Sequence, residues 1–186
     1  MSAKDRAKWN SIYKNRGEEG YPHPDLLLLD YTPPVPLGGE RRALDLAGGV
    51  GQNGLWLAEQ GYVVDILDIS RAALDRARLE MTTRKIRTVN LLCVDLDEAG
   101  LSPDSYDLVC VFRFLSRPLL ANLMTTIKPG GRLIYETFNL SVREARPGFS
   151  PEFCLSPGEL TAAFPKWRVL RDADAGIWAQ YVAIKV

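Results

Sequence analysis

The chain of 186 residues has one histidine, His23, and three cysteines, Cys93, Cys110 and Cys154. Three is an odd number and none of them stand close together, so neither a disulfide framework nor a zinc site is expected. Two of the cysteines sit in apolar strand-like runs, where buried free thiols are usual, and the expected compartment is a reducing cytoplasm. Neither sign of charge is in excess. Lys plus Arg and Asp plus Glu number 23 each, so no global positive field draws the chain to nucleic acid or an anionic membrane. No apolar run approaches membrane-spanning length. The charged start, Met1 to Lys8, has no apolar stretch behind it, which argues against a signal peptide. There is no internal repeat, no low-complexity tract and no nucleophile elbow. With 46% hydrophobic residues, the length suits one domain with a full core.

What is present is an alternation of strand and helix from Arg41 onward, the pattern of a parallel sheet wrapped by helices. Strands are expected at Arg42–Leu46, Tyr62–Asp68, Thr88–Val94, Tyr106–Phe112 and Arg132–Phe138. The fourth is almost continuously apolar and so is expected at the centre of the sheet. Ser70 is placed to cap a helix whose Ala73, Leu74, Ala77 and Met81 share a face. A further helix is expected from Ser116 to Ile127, ending before the turn Lys128-Pro129-Gly130-Gly131. In Ser156-Pro157-Gly158-Glu159, serine reads as a helix cap with proline in the first turn and glutamate closing a capping box. Trp167–Arg171 and Trp178–Lys185 are joined too tightly for a helical crossover and must pair antiparallel. Upstream, Lys4–Asn15 reads as an amphipathic helix with Trp9, Ile12 and Tyr13 on one face, which either packs on the domain or lids a cofactor. A short helix at Pro24–Leu29, with proline in its first turn, and a proline-rich connector complete residues 1–40.

The chemistry concentrates in Ala43 to Gly54. A strand carrying Asp45 runs into a loop with Gly48, Gly49, Gly51 and Gly54 and then a helix ending at Gly61. Glycine serves where a backbone takes positive φ or lets another group approach closely, and a helix start offers free amides to a polar or anionic ligand. Gly49-x-Gly51-x-x-Gly54 with Asp68 downstream fits a nicotinamide dinucleotide fingerprint. Three features weigh against that cofactor: the charge at Asp45, the closing antiparallel pair, and too little chain for a second domain. Tyr181-x-x-x-Lys185 has a short-chain dehydrogenase spacing, but on a strand the two residues stand roughly 13 Å apart.

Asp45-Leu46-Ala47-Gly48-Gly49-Val50-Gly51 resembles the D-x-G-x-G-x-G signature of class I S-adenosylmethionine-dependent methyltransferases. Asp68-Ile69-Ser70, Val94-Asp95-Leu96, Tyr106–Val109 and Ile127–Gly131 resemble that family's later landmarks, and within it the chain looks most like the tellurite-resistance group of small-molecule enzymes. The resemblance covers Arg41 to the end. It implies an α/β, Rossmann-like doubly wound sheet of about seven strands, mostly parallel with a C-terminal antiparallel hairpin, in the order 3-2-1-4-5-7-6. The domain would be residues 1–186, with the core at 41–186.

The implied cofactor is S-adenosylmethionine. Asp45, Ala47, Gly48, Gly49, Gly51 and Asn53 would face its methionine and ribose portion. Asp68, with Ile69, would accept from the ribose hydroxyls, and Asp95, with Leu96, from the adenine amino group, beside Phe112. A carboxylate, with two acceptor oxygens, suits a vicinal diol or an amine donor. Ala47 stands where the family has glycine, and alanine is expected to fit there in an extended conformation. The activity implied is methyl transfer by in-line displacement to a small acceptor, an oxyanion, thiol or other soft nucleophile. Arg113 would be the acceptor-side residue, with Phe114, Arg117, Phe138, Asn139, Arg143, Arg146 and Phe153 as further candidates. His23 reads as a surface residue. The motif of nucleic-acid amino methylation is missing after the fourth strand, where Phe112-Arg113-Phe114-Leu115 stands. The tellurite group's C-terminal histidine and basic residues are replaced by Asp174–Trp178. No metal is implied, and oligomeric state is left open. A non-catalytic S-adenosylmethionine-binding subunit is the alternative reading, with an NAD-dependent oxidoreductase behind it.

Overall fold

A computed structural model describes residues 3–15 and 20–186. Its sheet has seven strands in the order β3-β2-β1-β4-β5-β7-β6, as the resemblance implies. The Cα packing divides the chain into two compact units, Met1–Gly100 and Leu101–Val186.

Unit 1 holds the helix α1 (Ala3–Asn15), the short α2 (Leu26–Tyr31), β1 (Arg42–Leu46), α3 (Gln52–Glu59), β2 (Val63–Asp68), α4 (Arg71–Thr83) and β3 (Val89–Cys93). β1 pairs parallel with β2, and β2 with β3. The core is aliphatic: Leu44, Leu55, Leu57, Val64 and Ile66 are fully buried. Ser70 caps α4 as expected, its Oγ accepting from Ala73 N at 3.2 Å. Gly61 follows α3 at φ +95°, the left-handed position that ends helices. Two expectations need correction. Pro24 lies before α2, whose N-cap is Asp25 in an extended conformation. Cys93 is exposed because β3 is an edge strand.

Unit 2 holds β4 (Tyr106–Phe112), α5 (Arg117–Thr126), β5 (Ile127–Phe138), the small helical turns α6 (Val142–Ala145) and α7 (Pro151–Phe153, a 3-10 turn), α8 (Glu159–Ala163), β6 (Arg168–Ala175) and β7 (Trp178–Ile184). β4 and β5 run parallel, and β5–β7 and β6–β7 antiparallel. β4 is fourth of seven in the order and buried along nearly its whole length. The expected turn at Lys128–Gly131 is absorbed into β5 as a bulge, since Tyr106 pairs with Ile127 and Leu108 with Arg132. Gly130, at φ +77°, makes that bulge possible.

Helix α8 starts later than its capping box suggests. Gly158 takes a left-handed conformation and is itself the N-cap. Half of the box survives, with Ser156 N donating to Glu159 Oε2 at 3.0 Å. The other half is lost because the chain turns through left-handed Gly158, so that Glu159 N donates to the Ser156 carbonyl at 3.1 Å; the carboxylate also receives Arg117 at 2.7 and 3.1 Å.

Candidate active site

The carboxyl ends of β1 and β2 present the glycine loop in unit 1. Asp45, 1% exposed, points its Oδ2 at the start of α3 and accepts from Gly54 N at 2.9 Å. A carboxylate there satisfies an otherwise orphaned first-turn amide and complements the positive helix end. The three glycines Gly48, Gly51 and Gly54 all face one side chain. A Cβ built on them would lie 2.7, 3.0 and 2.5 Å from atoms of Ile66. Gly49, at φ +59°, faces the Tyr13 hydroxyl instead, 2.4 Å from where its Cβ would be.

Ala47 departs from expectation. Its φ is +54°, in the left-handed region rather than the extended one, so the loop holds an alanine in a strained conformation.

Asp68 ends β2 and is 7% exposed. Its Oδ2 accepts from Gly49 N and its Oδ1 from Ser70 N, both at 2.8 Å. Burial raises its pKa, and the amides of Ser70, Gly49 and Ile69 offset only part of that rise. The carboxylate is therefore pinned to the glycine loop, with acceptor sites beyond these two bonds. Ile69 and Leu96 are buried beside it in sequence and after β3. Asp95 is half-buried in the turn after β3 and accepts from Asp97 N at 3.1 Å. Asn53 is buried, and both its polar atoms engage Asp25: Oδ1 accepts from Asp25 N and Nδ2 donates to Asp25 Oδ2, each at 2.9 Å.

The segment before β1 straps this loop, which composition did not reveal. Asn10 Oδ1 accepts from Ser70 Oγ at 2.9 Å and Ala72 N at 3.1 Å. Tyr21 Oη donates to the Val50 carbonyl at 2.6 Å, and its ring lies 5.0 Å from the Arg84 guanidinium. The half-buried Trp9, Ile12 and Tyr13 were legible as one face; the target of that face was not.

Unit 2 places the remaining candidates. Phe112, 5% exposed, closes β4. Arg113 follows it, exposed, at φ +56°, with its guanidinium 5.9 Å from the Phe112 ring centroid. Arg117 is a structural tie: besides Glu159 it donates to the carbonyls of Glu152 at 2.6 Å and Cys154 at 3.0 Å. Asn139 is likewise committed, donating to the Gly176 carbonyl and accepting from Ser141 N, each at 2.9 Å. Phe138 stacks on Trp178. Arg143 and Arg146 are exposed near α6, Phe114 is half-buried, and Phe153 is half-exposed. His23 is exposed. Among the described residues no cluster of three or more His, Cys, Asp or Glu could hold a metal, and no helix is long and apolar enough to cross a membrane. Tyr181 and Lys185 do not form a dehydrogenase pair: Tyr181 is in β7, and Lys185 Nζ donates to the Ile127 carbonyl and pairs with Asp104.

Comparison with known proteins gives the family and the fold. Residues 43–131 match the model of a methyltransferase domain. Aklanonic acid methyltransferase DauC of Streptomyces sp. is 31% identical over 170 residues, covering 86% of this chain and 75% of that protein. Hemagglutinin 1 of Eikenella corrodens is 30% identical over 142 residues, 72% of this chain and 46% of that protein; of this relative the chain spans less than half. The structure of TehB from Haemophilus influenzae superposes with a TM-score of 0.74 at 16% identity, over 96% of this chain and 67% of that one, a likeness of fold.

Proposed function

Because the chain belongs to the S-adenosylmethionine-dependent methyltransferases, we propose that it transfers the cofactor's methyl group to a small-molecule acceptor by in-line displacement. The observation that carries this reading is the Asp68 carboxylate fixed at the glycine loop by Gly49 N and Ser70 N. An acceptor pinned in that way meets the two hydroxyls of a ribose without having to be reorganised first. In this reading Asp45, Ala47, Gly48, Gly49, Gly51 and Asn53 shape the loop around the methionine and ribose portion. Ile69 lies with Asp68 at the ribose, and Asp95 and Leu96 meet the adenine. The strap of Asn10, Tyr13 and Tyr21 makes α1 a lid over the bound donor.

The sulfonium methyl is already activated, so the protein chiefly aligns nucleophile, methyl and sulfur. Arg113 is the acceptor-side residue, since it is exposed and its backbone is turned out of the line of β4. The acceptor is a small oxyanion, thiol or related nucleophile, without nucleic acid or membrane as partner, and the chain works in the cytoplasm as one domain.

Calorimetry with S-adenosylmethionine and with NAD, on wild type and Asp68→Ala, tests this. Wild type should bind the first and not the second. The variant should lose roughly 10- to 100-fold in affinity, the worth of one or two hydrogen bonds to a charged group. Unchanged affinity in the variant would contradict the site. Release of S-adenosylhomocysteine in a screen of thiols, oxyanions and hydroxyl compounds would separate an enzyme from a non-catalytic binding subunit.

A further inference from the structure

The two edge strands of the sheet differ in sequence. β6, last in the order, carries Arg168, Arg171, Asp172 and Asp174 and breaks register between Val169 and Arg171. Charges and a bulge of that kind keep an open edge from recruiting another strand. β3, first in the order, has neither: Val89-Asn90-Leu91-Leu92-Cys93 is uncharged, contains no proline and pairs with β2 in unbroken register. Its apolar side chains are open as well. Leu91 is half-buried, Leu92 is 38% exposed and Cys93 is exposed.

The ladder to β2 shows which backbone groups of β3 point outward. The Thr88 carbonyl accepts from Val64 N at 2.8 Å, and Val94 N donates to the Asp68 carbonyl at 3.0 Å. The even-numbered positions therefore face β2, and the N–H and C=O groups of Val89, Leu91 and Cys93 point away from the sheet. The charges that β3 lacks stand just beyond its ends. Arg84, Lys85 and Arg87 precede Leu91 by seven, six and four residues, and Glu98, Asp97 and Asp95 follow it by the same intervals. Lys85, Arg87, Asp97 and Glu98 are exposed. An edge that is basic at one end and acidic at the other is complementary to itself turned end for end.

We propose that β3 pairs antiparallel with β3 of a second copy of this chain, about a twofold axis at Leu91. In a twofold contact the same patch serves both copies, so every pairing occurs twice. Leu91 opposes its own counterpart and Val89 opposes Cys93. These are the outward-bonding positions, so the N–H and C=O groups turned away from β2 find partners. On the opposite face Leu92 lies across from Asn90, whose Nδ2 donates to Asp65 Oδ1 at 2.7 Å within its own chain. The basic turn before β3 of each copy meets the acidic turn after β3 of the other, which fixes the register. Centring the pair on Val89 or Cys93 would keep the bonding pattern but set Lys85 across from Cys93 or Leu101, so the charges select Leu91. The occupant is a second copy because the edge carries its own complement.

Sedimentation equilibrium of the full chain over about 1–100 μM, a range that brackets micromolar dissociation constants, should reach twice the mass of one chain. Two double variants test the register. Lys85→Glu with Arg87→Glu sets acid against acid, and Asp97→Lys with Glu98→Lys sets base against base. Each alone should dimerise at least about tenfold more weakly, since opposed like charges are repulsive across an interface, and an equimolar mixture of the two should regain the wild-type mass. Arg84, held by Glu80 and Glu59, and Asp95, assigned above to the adenine, are left unchanged. Leu92→Lys, a charge placed on the edge itself, should weaken the dimer without rescue by either variant. Unchanged urea midpoints show that the variants fold. Should they not fold, hydrogen exchange of the wild type decides: the amides of Leu91 and Cys93 should exchange more slowly at the upper concentration, and equal rates overturn the proposal. A wild type that stays monomeric also overturns it and leaves the edge to an extended segment of another protein. A dimer whose swapped chains do not recover on mixing overturns it as well, placing the interface elsewhere.

Discussion

Replacing Ala47 by glycine should make the protein more stable. Ala47 holds φ +54°, and an L-residue with a Cβ is worse off in that conformation by roughly 1–2 kcal/mol. Glycine removes that strain and adds freedom to the unfolded chain, which costs about 0.4–1 kcal/mol. Ala47 is half-exposed, so deleting its methyl leaves no sealed cavity. The balance favours Ala47→Gly by about 0.5–1 kcal/mol. For a chain of this length that is a rise in melting temperature of about 1–4 °C, with a higher urea midpoint at unchanged slope. Both are read without cofactor, so that binding does not contribute. A melting temperature equal to or below that of wild type would refute the reasoning, and would mean that the Ala47 methyl makes contacts that outweigh its backbone strain. Gly49→Ala is the reciprocal control. At φ +59°, with the Tyr13 hydroxyl 2.4 Å from the new Cβ, it should be destabilised by more than Ala47→Gly gains.

Two other outcomes follow from the packing. Gly54→Ala would place a Cβ 2.5 Å from Ile66 Cδ1, and the strain should lower stability by about 1–3 kcal/mol in urea unfolding; an unchanged midpoint would mean that Ile66 yields freely. Arg117→Met should lower the melting temperature at pH 7 by a few degrees, about 1 kcal/mol for a partly exposed tie. Burial pushes the Glu159 pKa up, yet the hydrogen bond from Arg117, the Ser156 amide and the charge of Arg117 outweigh it and leave the group below its usual value. A lowered carboxylate pKa gives stability that is present above the unfolded value and is lost as pH falls through the folded one. The difference between Arg117→Met and wild type should therefore shrink below the usual carboxylate range, and a difference that is constant with pH would assign the effect to packing.

The parallel core was legible because its strands are apolar runs separated by turn residues, and the antiparallel closure because Gly176 leaves no room for a crossover. What escaped reading depends on contacts distant in sequence. Arg117 was a candidate for substrate binding by its type and place, but Glu159, Glu152 and Cys154 claim it from 35 to 42 residues away. The start of α8 shifted because Gly158 takes a left-handed conformation and becomes the N-cap itself. Asn53 looked free to meet a ligand until Asp25 was found on both its polar atoms. Ala47 was judged by what alanine prefers, whereas the loop around it dictates the angle.

Ile66 gives the glycine spacing a different meaning. Positions 48, 51 and 54 are bare because one branched side chain from the neighbouring strand occupies the room that three methyl groups would need. The repeat is thus a mould of β2, cast before any ligand arrives. A chain could lose its cofactor and still be held to those glycines for the sake of folding, and chains with different cofactors could share them. The trio overlaps the dinucleotide fingerprint at Gly51 and Gly54 and the methyl-donor signature at Gly51 alone, so those shared glycines record how a helix is brought close to a strand, while the identity of the guest is written in the carboxylates around it.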